Sequence, residues 1–320
     1  MAFVRGHFGS PGDGYSISKI LGDASARQYF RLVEESGKSW ILAAYPEPFD
    51  PQSFTYKQVY DVLRQIGLPV PEIFQLDGSL GIVVQQDLGN ETLQKRLVHC
   101  PADEKERLLQ QAIAHIVAIQ SRGTDALQPH YEASQLAFDE PKLRWELQFF
   151  ERHYLGSYRK LQGQDRQQMG QEFDRLAAAL AERPRRLCHR DYHVRNLMCR
   201  QGRLYIIDFQ DARRGPLSYD LASLLKDSID LSAAQTQALI DAYRSLAPQK
   251  LAAQEFAREF HRMCVQRLLK ALGTYAYQIT LRQNFIYEQY IPGSLRRVLC
   301  SLEELDEFPV IRSLVERELE

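Results

Sequence analysis

The sequence lacks paired cysteine motifs, an excess of either charge and any long apolar run. Its five cysteines (Cys100, Cys188, Cys199, Cys264, Cys300) are odd in number, widely spread and never in a CxxC pair. That excludes a disulfide framework and argues against a zinc site, so reduced and mostly packed thiols are expected. The formal net charge is −1 over 320 residues, which leaves no global basic field to hold nucleic acid or anionic lipid. No stretch approaches the ~18 apolar residues of a membrane span. The opening MAFVRGHFGSPGDGYSIS has no apolar signal-peptide core, and a cytoplasmic protein is expected. With 44% hydrophobic and 25% charged residues, 18 Gly and 14 Pro, the composition is neither disordered, collagen-like nor coiled-coil. The length allows two domains or one two-lobed unit.

What is present falls into two regimes. From Tyr15 to Asp87, runs rich in β-branched and aromatic residues (YSISKIL, RQYFRLVE, KSWILAA, GIVVQQ) are separated by turn residues such as Glu35-Ser36-Gly37 and Asp77-Gly78. This is the pattern of an antiparallel sheet. One helix interrupts it, with Ser53 as the expected N-cap, Phe54, Val59, Val62, Leu63 and Ile66 at helical spacing, and Gly67 before Pro69 and Pro71 as the stop. After about residue 90 the segments 103–121, 142–160, 166–182, 232–246 and 252–282 each carry an apolar helical face. Trp145, Phe149, Phe150, Tyr154, Tyr275 and Tyr277 recur at this spacing, so most belong in a core, with one or two left to stack on a ligand. A single β-like interruption, NLMCRQGRLYIIDF, places two short runs around Gln201-Gly202 and reads as a hairpin ending at Asp208. The expected fold class is α+β, a small antiparallel β lobe (1–89) and a larger helical lobe (90–320).

The sharpest constellation is CHRDYHVRNLM followed by LYIIDF, residues 188 to 209. Asp191 and Asn196 stand five apart in a polar, irregular stretch before the hairpin, and Asp208 closes its second strand. Three oxygen-bearing side chains thereby reach one place. Phosphoryl transfer from ATP needs a carboxylate near the acceptor hydroxyl and hard oxygen ligands for Mg²⁺; Asp191 suits the first role, Asn196 and Asp208 the second. The plainer alternative is that His189 and Asp191 cap a turn and Asp208 is a solvated strand end.

On these residues the chain resembles the aminoglycoside phosphotransferase and choline kinase superfamily, relatives of the protein kinases. CHRDYHVRNL matches the family's catalytic loop, and IIDFQDARRGPLSYDLASLLKD its metal-binding segment and following helix. GDASARQYFR, DFQDARRGPLSYDL and FFERHYLG look most like the bacterial anomeric kinases of N-acetylmuramate and N-acetylglucosamine. The resemblance implies a two-lobed protein-kinase-like fold, ATP and Mg²⁺, and a small-molecule acceptor, most plausibly the anomeric hydroxyl of an amino sugar. It also implies Asp191 as catalytic base, Asn196 and Asp208 as metal ligands, and Asp220 as a brace of the catalytic loop. His189 and Arg195 complete the catalytic candidates, His189 mainly as a holder of the loop. On the nucleotide side it implies Gly22 and Ser25 in a phosphate-covering turn, and Val84 to Leu88, including Gln86, as the hinge that meets adenine.

One departure stands out. Where protein kinases carry a phosphate-binding Lys on the third strand, paired with a Glu on the next helix, this chain has Ala43 or Ala44, and the helix from Phe54 to Ile66 has no Glu. Loss of both members is more coherent than loss of one, since a surviving unpaired charge would be costly where buried. Between Arg183 and Arg214 nine arginines face three aspartates, a local basic bias suited to phosphate or an acidic sugar. A solvated basic surface would explain most of them equally well; Arg195, inside the loop, is the strongest functional candidate. Two rival readings remain open. One is a kinase for an aminoglycoside, choline or another amino alcohol, and the other a nucleotide-binding pseudokinase that scaffolds a partner.

Overall fold

The computed structural model describes residues 14–20, 27–161, 165–227, 229–247, 249 and 252–320. Gly22 and Ser25 lie outside the described residues. The expected small sheet and larger helical lobe are both present.

Five antiparallel strands form the first lobe: β1 (Tyr15–Ile20), β2 (Gln28–Glu34), β3 (Ser39–Ala44), β4 (Ile73–Asp77) and β5 (Ile82–Gln86), in the spatial order β1-β2-β3-β5-β4. Alternation along the strands divides the apolar residues between two faces. Leu32, Trp40, Leu42 and Val84 cluster on one side, whereas Ala43 and Val83 join Val59, Val62 and Leu63 of helix α1 (Thr55–Gln65) on the other. Phe54, not Ser53, caps α1, and it does so without a side-chain bond because the Ser53 hydroxyl turns back to Asp50. Gly67 ends the helix at φ 77°, a left-handed conformation that glycine tolerates best.

The second lobe begins with α2 (Leu93–His99), capped by Thr92, and α3 (Ala102–Ala118), whose last turn widens into a π-helix at Ile119–Gly123. Next come α4 (Glu140–Phe150), capped by Asp139 and widening at Glu151–Tyr158, and α5 (Asp165–Ala181). The irregular centre holds β6 (Arg185–Cys188), the hairpin β7 (Leu197–Arg200) and β8 (Arg203–Ile206), and β9 (Arg213–Pro216), which pairs with β6. The chain closes with α6 (Ser218–Lys226), α7 (Ala233–Leu246), α8 (Ala253–Arg282), α9 (Ile291–Glu303) and α10 (Pro309–Leu319).

Helix α8 is the spine of this lobe. Its Phe256, Phe260, Met263, Leu269 and Leu272 are buried, and α4, α6 and α9 pack around it. Gly273 permits the closest approach: a Cβ there would lie 2.8 Å from Phe150 Cα. The aromatic residues divide as their surroundings dictate. Phe150 and Tyr154 are core, whereas Trp145 is 52% exposed with the Lys142 ammonium over its ring, one of the minority left outside the core. Cys188, Cys199 and Cys264 are buried thiols, and none of the five cysteines is paired. Among the described residues no helix is long and apolar enough to cross a membrane.

Candidate active site

Two cavities meet between the lobes. The first, about 380 Å³, is roofed by Ile20, Ala43, Tyr45, Gln86 and Leu88 and floored by Asn196, Met198 and Asp208. The second, about 250 Å³, lies wholly in the helical lobe and takes Asp191, His193 and Arg195 from the loop after β6, with Arg267, Lys270 and Tyr275 from α8. Asn196 and Asp208 border both cavities, so they stand at the junction.

The loop is held from below. Asp220, fully buried on α6, accepts hydrogen bonds from the backbone N–H of His189 (2.7 Å) and of Arg190 (3.0 Å). Burial pushes the Asp220 carboxyl up, while His189 and the two amides pull against that. These bonds hold Arg190 at φ 84°, and Asp208 sits at φ 62°. Both are sparsely populated conformations for non-glycine residues, kept by the structure around them. His189 enters neither cavity. It is buried, and its Nε2 donates to the Ile207 carbonyl at 2.9 Å, tying the loop to the strand end before Asp208. His189 thus supports the loop from outside both cavities, in keeping with its expected part as a holder of the loop.

Arg267 is a second anchor, one that sequence reasoning missed. It donates to the Arg190 carbonyl (2.9 Å), Ser223 Oγ (2.8 Å) and Asp227 (2.7 Å), satisfying its guanidinium through a fork of bonds. Asp191 remains partly open, with 30% of its side-chain surface exposed. Burial acts to raise its pKa, but Lys270, Arg190 and Arg267 outweigh it and hold the carboxyl well below the usual carboxylate range. Burial, aided by Arg195, pushes the neighbouring His193 imidazole down to about 4, so it is neutral at pH 7.

The junction residues suit a hard cation. The Asn196 amide nitrogen donates to the Asp191 carbonyl at 2.9 Å, which leaves the amide oxygen to face other ligands, and Asp208 adds a carboxylate. Among the described residues no group of three or more His, Cys, Asp or Glu could hold a metal alone. A magnesium ion here would complete its shell with phosphate oxygens and water, its usual habit.

On the sheet side, Gln86 lines the first cavity, but Val84 does not. Val84 faces the opposite side of the sheet with Leu32, Trp40 and Leu42, and strand neighbours flank it on both sides, Leu42 on β3 and Gln75 on β4. Of the expected hinge segment, Gln86 and Leu88 border the cavity and the Val84 side chain does not. Arg31 fastens that segment, donating to Asp87 (3.0 Å) and to the Gly89 carbonyl (3.0 Å). Arg27, also missed, enters the first cavity from the start of β2 and pairs with Asp208 at 2.9 Å. Of the nine clustered arginines, Arg195 lines the second cavity. Arg183 instead pairs with Glu255 and Glu259, and Arg190 with Asp211. A signal for the α8 residues did exist: Arg267, Lys270 and Thr274 recur at spacings of three and four, a polar stripe along an otherwise buried helix.

A two-lobed fold with this loop and junction is that of a phosphotransferase. The model of the phosphotransferase enzyme family matches residues 16–260, and the chain belongs to that family. It is 32% identical over 314 residues to the N-acetylmuramate/N-acetylglucosamine kinase of Neisseria meningitidis serogroup B, covering 94% of this chain and 90% of that protein. It is 32% identical over 262 residues to the protein of the same name from Pseudomonas aeruginosa, covering 79% and 74%. Plasmodium vivax ethanolamine kinase shares the fold, with a TM-score of 0.63 at 14% identity over 97% of this chain and 89% of that one. The protein is accordingly a small-molecule kinase, a class whose phosphoryl donor is ATP.

Proposed function

We propose that the protein transfers the γ-phosphoryl group of ATP to the anomeric hydroxyl of an N-acetylated amino sugar, with N-acetylmuramate preferred. The observation that carries this reading is the charge of the second cavity. Arg267 there is neutralised by Asp227, whereas Arg195 and Lys270 form no ion pair with a described residue. Although Lys270 also acts on Asp191 through space, these two cations favour an acceptor bearing a carboxylate and disfavour aminoglycosides or choline, which bring positive charge. The names of the bacterial relatives agree with this acceptor.

In this reading residues 1–89 hold the nucleotide and 90–320 supply the chemistry and the acceptor site, and the enzyme works in the cytoplasm. Gln86 and Leu88 meet the adenine. Asn196 and Asp208 would hold Mg²⁺, which would supply positive charge against the charge that builds on the phosphates. Asp191 accepts a hydrogen bond from the acceptor hydroxyl and aims it at the γ-phosphorus. Its lowered pKa makes it a weak base, so it takes the proton late, once the new P–O bond has made the hydroxyl acidic; a loose phosphoryl-transfer transition state asks no more of it. Asp220, His189 and Arg267 keep Asp191 in place, and catalysis rests on positioning and electrostatics.

The test is ADP release over a panel of N-acetylmuramate, N-acetylglucosamine, aminoglycosides and choline. N-acetylmuramate should give the highest kcat/KM. A cationic acceptor that outperforms both sugars would overturn the assignment, and no acceptor-dependent release at all would favour a scaffold.

A further inference from the structure

The missing strand-three lysine leaves a question of charge, since ATP brings several negative charges into a cavity whose β3 wall is Ala43. The cavity contains two arginines from the sheet lobe, Arg27 and Arg31. Arg31 is engaged at the hinge end with Asp87 and the Gly89 carbonyl. Arg27 stands at the other end. It immediately precedes β2, where Gln28 pairs with Ala44 and Tyr29 with Ala43, so its side chain enters beside the position that a lysine on β3 would occupy. Its guanidinium lies 5.8 Å from the centre of the Tyr45 ring and 2.9 Å from Asp208, with only 15% of the side chain exposed.

We propose that Arg27 is the phosphate-binding cation of this kinase, supplied from β2 in place of the absent lysine on β3. The proposal rests on the kinase reading and extends it to a residue assigned no role there. With the cavity empty, Arg27 and Asp208 neutralise each other, so neither charge is buried alone. When nucleotide enters, phosphate oxygens take over the guanidinium fork, which suits them through paired N–H donors, and Asp208 is released toward the metal position. The same exchange explains how Ala43 is tolerated: the charge has moved to the residue just before the neighbouring strand, and its partner from a Glu on the next helix to Asp208. No bond is made or broken in this step; one ion pair replaces another.

Binding separates this role from a structural one. Titration calorimetry in metal-free buffer would compare ATP with adenosine for wild type, Arg27→Gln and Arg27→Lys. The expected result is a loss of ATP affinity of about tenfold or more in Arg27→Gln, in line with a lost charged hydrogen bond, with adenosine affinity unchanged and Arg27→Lys intermediate. A second variant, Arg27→Gln combined with Ala43→Lys, should regain ATP affinity and, with magnesium present, lower the KM for ATP relative to Arg27→Gln. Equal losses for ATP and adenosine, or no loss for ATP, would overturn the proposal. Should Arg27→Gln fail to fold, a loss in Arg27→Lys confined to ATP supports it, and Arg27→Lys with unchanged ATP affinity or with parallel losses for both ligands overturns it. A wild-type protein that binds neither ATP nor adenosine would tell against the nucleotide site on which the proposal rests, which distinguishes the two failures.

Discussion

The two cavities differ in how they are built. The first lies between the lobes and is lined largely by apolar and aromatic residues, with few charges. The second is a charged chamber inside one lobe, closed by a single long helix. The difference matches what each must do in the proposed reaction: a flat aromatic base is held by shape and backbone, whereas a small polar sugar is held by charge and hydrogen bonds. Asn196 and Asp208 belong to both, so the proposed reaction falls at their boundary.

Experiments can break this division or sharpen it. The largest effect is expected at the boundary. Asp191→Asn should lower kcat by about 10³-fold, within the usual range for a general base, while leaving the KM for ATP nearly unchanged; near wild-type turnover would remove Asp191 from the chemistry. On the acceptor side, Lys270→Met should raise the KM for N-acetylmuramate about tenfold and that for N-acetylglucosamine much less. Equal changes for the two sugars would mean that Lys270 does not read the carboxylate.

A smaller effect tests the wall that carries Lys270. In Gly273→Ala the added Cβ meets the Phe150 backbone at 2.8 Å, and overpacking of this kind costs about 1–3 kcal/mol. Urea denaturation should show that loss. Nucleotide affinity should survive while acceptor KM rises, because α8 borders only the second cavity. Weakened nucleotide binding would show the cavities to be mechanically coupled.

The smallest effect concerns acid. Burial pushes His115, His193 and His261 each down to about 4, assisted by Arg203, Arg195 and Lys226 respectively. All three lie in the helical lobe. Between pH 6.5 and 4 the unfolded chain binds more protons at these sites than the folded chain, so stability falls as pH falls through that window. Thermal melts should follow this course, and His115→Gln should flatten it. A Tm that holds constant from pH 6.5 to 4 would contradict the buried, neutral state of these rings.

Much of this was legible in the chain. The sheet, the helices and the hairpin follow from period-two and period-3.6 patterns, and Asp191, Arg195, Asn196 and Asp208 were gathered correctly because one loop and one hairpin bring them together within 18 residues. What the chain did not reveal was a residue's direction, as opposed to its element. Val84 is on the expected strand and its side chain points to the far face; Trp145 is on the expected helix and points to water. Ser53 sits beside the helix start, yet its hydroxyl is taken by Asp50.

By itself, then, the sequence determined the two lobes and the gathering of Asp191, Asn196 and Asp208 in one place, since both depend on local periodicity and on short loops. Only the tertiary structure decided which charges meet. Arg27 reaches Asp208 across 181 positions, Arg267 secures Arg190 across 77, and Lys270 reaches the Asp191 chamber from a helix that reads as core. Such pairings are set by how the sheet closes over the hairpin and how α8 packs beneath it. No local pattern encodes them, because the free energy that selects them comes from burying whole faces rather than from the neighbours of any one residue.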